Sequence, residues 1–201
     1  MILSNTRVHA ALDSKDLIID PQPEPRTPQV GSHCPYDTHS VDLRLSDEIS
    51  VPSGGKFSYD TTQPGSIAKL IADHSKKYTL TDDQPFNLDP SKFVLGRTME
   101  RIHLPIKAGC EHCLAARIEG KSSLARLGLL VHFTAPTIHP GFEGTITLEI
   151  INLGPARILL VPGMYIAQLI VEQVLGCPQE NPSTFQGQRN VAGLPGNVQK
   201  A

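Results

Sequence analysis

The sequence predicts a mainly β protein, a barrel or a sandwich built from short strands. It contains 16 Gly and 17 Pro among 201 residues, and this excess over average usage favours turns over long helices. From Lys77 onward, apolar segments of strand length follow one another at short intervals and are separated by Pro, Gly and Asp, as is typical of all-β domains. The segments are YTLT, KFVLGRTM, ERIHLP, LAARIEG, LLVHFTA, GTITLEIIN, ARILLVP and AQLIVEQV.

Two short helices are expected to accompany the strands. Ser4 is a favourable N-cap with apolar residues behind it at helical spacing, which predicts a helix over residues 5–14 that ends at DLIIDP. Ser66 precedes a similar pattern, which predicts a second helix over residues 66–76. Since both helices are short, strands are expected to form the core.

An irregular arm and a strand are expected between these helices. Residues 20–36 carry five Pro, which fix φ and remove N–H donors, so we expect a surface arm outside the sheets, with a simple linker as the plainest interpretation. Residues 40–51 alternate in polarity and predict one half-buried strand that Gly54-Gly55 ends. Its apolar face is expected to hold Val41, Leu43 and Leu45, and its polar face Asp42, Arg44 and Ser46.

The length of the chain fits one compact domain with an appended segment. We expect a single β domain over residues 1–175, which includes the Pro-rich arm. Residues 176–201 are poor in aliphatic side chains and rich in Gln, Asn, Gly and Pro, so they cannot bury enough surface to offset their ordering entropy. They are predicted to form a mobile tail, or one that becomes ordered on a ligand.

Charge and hydropathy exclude several classes of partner. The chain has 18 Lys and Arg against 20 Asp and Glu, a balance of −2, which argues against a surface that holds nucleic acid. No apolar stretch approaches the roughly 18 residues of a membrane span, and MILSNTRVHAAL lacks the features of a secretory leader. We therefore expect a cytoplasmic protein with no membrane partner, in which the four Cys are reduced.

Two stretches resemble known motifs but lack required parts. CEHC (110–113) contains half of a zinc ligand set, but no upstream H-x-E and no second C-x-x-C accompany it, so a turn between strands is the better interpretation. GKS (120–122) resembles the end of a Walker loop, but Ala115 stands where the first glycine is needed. We therefore expect neither a zinc site nor Walker-type nucleotide hydrolysis.

The GKS stretch still begins a candidate anion site. Lys121, Ser122, Ser123 and Arg126 place two cations and two hydroxyls within six positions. Such groups form charge-assisted hydrogen bonds with polyphosphate oxygens. A solvated turn is the alternative, and composition alone leaves both open. The apolar stretch that follows, residues 127–131, is predicted to enter the core.

A strand with two distinct faces carries a candidate general base, Glu149. In TITLEI (145–150), alternation predicts one core-facing set and one set on the opposite side, where an exposed carboxylate is the simple interpretation. If that side lines a cleft, partial desolvation would make the carboxylate a better proton acceptor near neutral pH, as general base catalysis requires. The core-facing set is Ile146, Leu148 and Ile150, and the opposite set is Thr145, Thr147 and Glu149.

Residues 120–152, GKSSLARLGLLVHFTAPTIHPGFEGTITLEIIN, resemble the signature region of the dCTP deaminase family, which shares its fold with trimeric dUTPase. The resemblance extends to LSNTRVHAAL, DLIIDP, SVDLRL, VPGMYIAQLIVEQV and FQGQR, and so covers most of the chain. It implies a distorted dUTPase-like β-barrel with a short N-terminal helix and one or two further short helices. It also implies a homotrimer with active sites between subunits, and no zinc.

The resemblance implies a role for each candidate residue. Glu149 matches the catalytic glutamate, and Ser122, Arg126 and the carbonyl of Ala135 match the groups that hold the attacking water and the exocyclic amine. The matches to substrate contacts are Lys121, Ser123 and Gln188 for the triphosphate, His139 for the deoxyribose, and the backbone of Thr147 and Leu148 for the pyrimidine edge. The tail around Gln188 is expected to close over the nucleotide.

The chain departs from the family pattern at three of these contacts. Lys121 stands where the family usually has Arg, which keeps the charge but gives up bidentate phosphate geometry. His139 replaces an Asp that contacts the sugar hydroxyl, and Thr184 replaces a tail Lys. These changes are expected to affect substrate affinity more than deamination chemistry.

The resemblance implies hydrolytic deamination of dCTP to dUTP and ammonia, a step in pyrimidine deoxynucleotide synthesis, with Mg²⁺ carried on the triphosphate. The enzymatic alternative is a dUTPase, or a bifunctional enzyme that also converts dUTP to dUMP. Bifunctional relatives tend to have Gly and Asp where this chain has Pro136 and His139, which disfavours that alternative. A non-catalytic nucleotide-binding relative is the third possibility, disfavoured by the presence of Glu149.

Overall fold

A computed structural model of the protein describes residues 1–55, 58, 62, 66–107, 109, 111–179 and 186–191. The chain is mainly β with short helices, as predicted. The helices are α1 (Asn5–Asp13), α2 (Ser66–Asp73) and α3 (Ser122–Ala125). The strands are β1 (Ile18–Asp20), β2 (Val41–Arg44), β3 (Glu48–Pro52), β4 (Ser75–Thr79), β5 (Phe86–Leu88), β6 (Phe93–His103), β7 (His112–Gly120), β8 (Leu129–Leu130), β9 (Thr137–Ile138), β10 (Glu143–Asn152), β11 (Ile158–Leu160) and β12 (Tyr165–Leu175).

The described strands form three sheets and do not close into one barrel. The largest sheet has the order β4-β3-β6-β10-β8, with β1 also paired to β6. A four-stranded sheet has the order β2-β12-β7-β9, and β11 pairs with β5. All these pairs are antiparallel. The core between the sheets is aliphatic and includes Leu43, Leu45, Ile102, Leu148 and Ile166, each fully buried.

The two helices expected from sequence are present, but the second one, α2, ends earlier than predicted. Helix α1 agrees with the prediction, although the hydroxyl of Ser4 is hydrogen-bonded to the Thr6 side chain and caps no backbone N–H. Helix α2 ends at Asp73, before the predicted end, because the residues from Ser75 pair with β3 as strand β4. DLIIDP ends α1 as expected and contributes β1. No helix in the described part of the chain is long and apolar enough to cross a membrane.

The single strand predicted over residues 40–51 was wrong, because the chain forms two strands there. Strand β2 pairs with β12, whereas β3 pairs with β4 and β6 in the other sheet. The predicted polar face is also buried, since Asp42 and Ser46 are each only 4% exposed. The reason is that the charges on this face find partners on neighbouring elements, which removes the cost of burying them. The segments KFVLGRTM and ERIHLP, in turn, lie on one continuous strand, β6.

The Pro-rich arm, residues 20–36, contains no strand beyond Asp20, as expected, but it is not a free linker. Arg26 forms a 2.6 Å ion pair with Asp13 of α1, and His33 Nε2 lies 2.8 Å from Asp42 Oδ2 on β2. At its end Tyr36 is 4% exposed, and burial raises the pKa of its hydroxyl to about 12. The arm is therefore fixed to both α1 and β2.

A buried carboxylate joins the two larger sheets. Glu100 on β6 is fully buried, and its two oxygens accept hydrogen bonds from Arg44 on β2, one from Nε at 2.6 Å and one from the backbone N–H at 2.9 Å. Next to it, the Thr98 hydroxyl donates to the Glu100 carbonyl and accepts from the N–H of Ile146. Because an unpaired carboxylate is costly inside a protein, these partners are required for the sheets to pack.

We expect Arg44→Met to lower the free energy of unfolding by about 3 to 5 kcal/mol, because it leaves the Glu100 carboxylate buried without its cation. Urea denaturation at a fixed protein concentration measures this loss. The matched control is Arg157→Met, whose 2.7 Å ion pair with Asp89 is on the surface. The control is expected to lose less than about 1 kcal/mol. Equal losses in the two variants would contradict the role assigned to Glu100.

Candidate active site

The residues expected to bind anions lie on one short turn, here called the serine turn and defined as residues 121–126. Strand β7 ends at Gly120, Lys121 is the N-cap of α3, and Arg126 is its C-cap. Ser122, Ser123 and Arg126 are exposed. None of these three side chains has a hydrogen-bond partner within the described residues, so their donors are available to a ligand.

The end of the serine turn is held against the loop after β10 by two glycines. Gly128 has φ +91°, and a Cβ placed on it would lie 2.2 Å from the backbone N of Gly154. The N–H of Leu153 donates to the carbonyl of Gly128 at 2.8 Å. The prediction that residues 127–131 enter the core was wrong for Leu127, which is 57% exposed because this close approach turns it outward. Leu129 and Val131 are buried as expected.

Glu149 lies on β10 with its carboxylate beside the chain that follows β8. The backbone N–H of Phe133 donates to Oε2 at 3.0 Å, and the N–H of Glu149 donates to the carbonyl of Val131 at 3.1 Å. Within the described residues, the bond from Phe133 is the only hydrogen bond to the Glu149 carboxylate. No hydrogen bond within these residues joins the carboxylate to Ser122 or Arg126. Glu149 is half-buried, and within the described residues its other carboxylate oxygen, Oε1, accepts no hydrogen bond.

The two faces predicted for β10 are present, with one exception. The three isoleucine and leucine positions, Ile146, Leu148 and Ile150, are buried, and Thr147 lies with Glu149 on the half-buried side. Thr145 was predicted to share that side, but it is only 8% exposed, and Gln188 is hydrogen-bonded to it.

The segment around Gln188 packs on this same strand. Gln188 is 6% exposed, and its Nε2 donates to the carbonyl of Thr145 at 2.7 Å. The N–H of Thr145 donates in return to the carbonyl of Gln188 at 3.1 Å. Residues 186–191 thus extend the edge of β10 in this structure. Thr184 lies outside the described residues.

Two further candidates lie in the loop between β8 and β10. Ala135 and His139 are both exposed, on either side of β9. Strand β9 pairs with β7, and the N–H of Ile118 donates to the carbonyl of Pro136. At the end of β7, His132 Nε2 lies 3.6 Å from a Glu119 carboxylate oxygen. The segment 131–133 therefore contacts Glu119 near the end of β7 and Glu149 on β10.

Lys121, predicted to contact the triphosphate, has a partner that the sequence did not reveal. Its Nζ lies 2.5 Å from Oδ2 of Asp42, which is buried. Asp42 and His33 were not predicted as site residues, because the alternating pattern of residues 40–51 placed Asp42 on a solvent-facing side. The Lys121 ammonium is 6.0 Å from the centre of the Tyr165 ring.

The CEHC stretch contributes no metal cluster in the part of the chain that the structure describes. Cys110 lies outside the described residues, and Cys113 is buried in β7. Across the described ranges, no group of three or more His, Cys, Asp or Glu could hold a metal ion. Cys34 is a thiol rather than a member of a disulfide.

Comparisons with known proteins place this chain in one family. A family model described as dCTP deaminase-like matches residues 2–174. A protein of Thermobifida fusca named "dCTP deaminase, dUMP-forming" is 38% identical over 200 residues, with 94% of this chain and 89% of the relative covered. A protein of Rhodospirillum rubrum named "dCTP deaminase" is 37% identical over 184 residues, with 90% of this chain and 87% of the relative covered.

A solved structure shares the fold. The crystal structure of 2'-deoxycytidine 5'-triphosphate deaminase from Agrobacterium tumefaciens matches 85% of this chain with a TM-score of 0.61 at 19% identity. The match spans 48% of that longer chain, about half its length. Together with the family model over residues 2–174, these similarities show that the chain belongs to the dCTP deaminase-like family.

Proposed function

We propose that this protein hydrolyses the C4 amino group of dCTP, so that dCTP and water give dUTP and ammonia. The single observation that carries the proposal is Glu149, a half-buried carboxylate on a central strand with one open side and no cationic partner among the described residues. A relative at 37% identity is named "dCTP deaminase" and one at 38% is named "dCTP deaminase, dUMP-forming", and both names support deamination of dCTP.

The chemistry follows from the position of the carboxylate. Water is a weak nucleophile at neutral pH, so a positioned base must take its proton as the oxygen attacks C4. Glu149 takes that proton and passes it to N3 as C4 becomes tetrahedral. The same carboxylate then takes the proton of the new hydroxyl group and gives it to the departing nitrogen, which leaves as ammonia while the C4 carbonyl forms. The hydrogen bond from Phe133 N–H fixes one carboxylate oxygen and leaves the other for the water.

The other predicted residues complete the proposed site. Ser122, Arg126 and the carbonyl of Ala135 hold the water and the exocyclic amine. The proposed substrate contacts are Lys121 and Ser123 with phosphate oxygens, His139 with the sugar hydroxyl, and the backbone of Thr147 and Leu148 with the pyrimidine edge. Mg²⁺ enters as part of the substrate, bound to the triphosphate oxygens.

Gln188 is proposed to contact the phosphates, but in this structure its side chain is buried against β10. Its amide is bonded to the carbonyl of Thr145, so it reaches the phosphates only when residues 186–191 leave the edge of β10. A closing tail is proposed on this basis, with residues 176–201 covering the bound nucleotide.

We also propose a cytoplasmic homotrimer with active sites between subunits. Ser122, Ser123 and Arg126 are exposed without partners, and large apolar side chains are exposed near them and near Glu149. These side chains are Leu127 at 57%, Phe133 at 45% and Leu153 at 62% exposure. A second copy that covers them would bury apolar surface and desolvate Glu149 together.

A second candidate function is the bifunctional reaction that ends at dUMP and pyrophosphate. The observation in its favour is the name "dUMP-forming" on relatives at 38% and 39% identity. Pro136 and His139 in the loop around β9 disfavour it. A non-catalytic nucleotide-binding protein is the remaining alternative.

Incubation with dCTP and Mg²⁺, followed by ion-exchange chromatography, separates these alternatives. We expect dUTP and ammonia in equal amounts. Accumulation of dUMP would favour the bifunctional reaction, and unchanged dCTP would contradict both enzymatic proposals. CTP and dCMP assayed in parallel define which part of the nucleotide is required.

Replacing Glu149 with Gln is expected to lower kcat for deamination by about 10²- to 10⁴-fold, because the amide cannot accept a proton from water. The matched control is Glu143→Gln, which removes the same charge from the same strand, at its opposite end. We expect the control to stay within about threefold of the native rate, because the Glu143 carboxylate pairs with Arg101 and is not among the proposed site residues. Deamination that survives in Glu149→Gln would show that another group is the base.

The change His139→Asp restores the acidic residue that the family usually has at this position. It is expected to lower the KM for dCTP by about threefold to tenfold, because a carboxylate accepts a stronger hydrogen bond from the sugar hydroxyl than a neutral imidazole does. His139→Asn provides the uncharged comparison. An unchanged KM in His139→Asp would mean that the sugar is held elsewhere.

A further inference from the structure

A cluster of polar groups around the buried Asp42 connects the Pro-rich arm to the first residue of the serine turn. We call it the Asp42 cluster, and it consists of His33, Ser40, Asp42, Lys121 and Gln168. Both oxygens of the Asp42 carboxylate are engaged. Oδ2 lies 2.5 Å from Lys121 Nζ and 2.8 Å from His33 Nε2, and Oδ1 accepts a hydrogen bond from Gln168 Nε2 at 3.1 Å.

Protein groups alone hold the Asp42 carboxylate in place. The Asp42 side chain is 5% exposed, and its backbone N–H donates to the carbonyl of Pro35 at 2.7 Å. Gln168 also donates to the hydroxyl of Ser40 at 3.2 Å. Since three different elements hold the carboxylate, its position does not depend on any ligand.

Lys121 is the one member that also begins the serine turn. Its side chain is 18% exposed, so the ammonium is partly open to solvent while it is paired with Asp42. An ammonium has three N–H donors, and the bond to Asp42 uses one of them. The others remain for an anionic ligand. A free lysine would lose rotamer freedom when it bound phosphate, whereas a lysine already held in place loses less.

The arm supplies the outer wall of the cluster. The ring of His33 packs on the ring of Tyr165, with 4.4 Å between their centres, and the centre of the Tyr165 ring is also 6.0 Å from Lys121 Nζ. His33 is half exposed, which makes it the member most easily changed without disturbing the core. The arm thereby contributes one residue to the surroundings of the serine turn.

We propose that Asp42 is a positioning residue that holds the Lys121 ammonium toward the phosphates of the nucleotide, and that His33 of the arm helps to fix Asp42 through the same carboxylate oxygen. The proposal rests on the proposed function, because it takes Lys121 as a phosphate contact. A carboxylate so close to a phosphate site also repels the phosphate. If Asp42 positions Lys121, removing the Asp42 charge weakens dCTP binding. If Asp42 only repels the phosphates, removing its charge strengthens dCTP binding.

The test is a double-mutant cycle with Asp42→Asn, Lys121→Met and the double variant, scored on the KM, the kcat and the Kd of dCTP. We expect each single change to raise KM and Kd about tenfold and to leave kcat within about threefold, with the double variant no worse than either single variant. The control Asp13→Asn removes the same charge and an arm contact, the ion pair with Arg26, outside the cluster. It is expected to leave all three constants unchanged.

If the native protein deaminates dCTP, two results would overturn the positioning proposal. One is a KM that stays constant or falls in Asp42→Asn, and the other is a double variant whose KM rises by the product of the single effects. If the native protein binds dCTP without turnover, the proposed function fails, and the cycle scored on Kd still tests the positioning role. If it binds no dCTP, both fail.

His33→Ala provides a second route if Asp42→Asn does not fold. We expect it to raise the Kd of dCTP about threefold in the native background and to have no effect in the Lys121→Met background, because it acts only through the carboxylate and the lysine. An equal rise in both backgrounds would contradict the proposal. Circular dichroism and the melting temperature of each variant show that the fold is retained.

Discussion

Strand β2 buries both of its faces, and the charges on its polar face must be paired for the chain to fold. Val41 and Leu43 pack into the aliphatic core, while Asp42 and Arg44 point the other way, where Asp42 is buried and Arg44 is half-buried. Arg44 is bonded to Glu100 of β6, and Asp42 to Lys121 beyond β7. Because a lone buried charge is expensive, these two pairs determine how the sheets sit on one another and where the serine turn begins.

The candidate active site combines rigid backbone with open side chains. Glu149 and the backbone around it belong to a long central strand, and Gly128 and Gly154 hold the serine turn against the end of that strand. The side chains of Ser122 and Arg126 are nevertheless exposed and without partners among the described residues. Such a combination suits a site that a second molecule of the same protein completes, as proposed, since the framework is fixed before the ligand and the partner arrive.

The arm and the tail segment pack on different sheets. The arm is fixed to β2 through His33 and to α1 through Arg26, so it belongs to the folded body of the chain. The segment with Gln188 extends the edge of β10 by backbone and side-chain hydrogen bonds to Thr145. Both segments therefore touch strands that carry proposed site residues, and each also buries an apolar side chain, Tyr36 in the arm and Val191 in the segment with Gln188.

Alternation and turn residues by themselves determined the mainly β class, helix α1, the faces of β10 and the exposure of the serine turn, because these depend on neighbours within a few positions. The resemblance of residues 120–152 to one family added the roles proposed for Glu149 and the serine turn. Only the tertiary structure decided that residues 40–51 form two strands in different sheets and that Asp42 is buried. A carboxylate on an alternating strand looks solvent-facing until its partners, Lys121 and His33, are brought to it from distant parts of the chain, and pairing over such separations leaves no local pattern in the sequence.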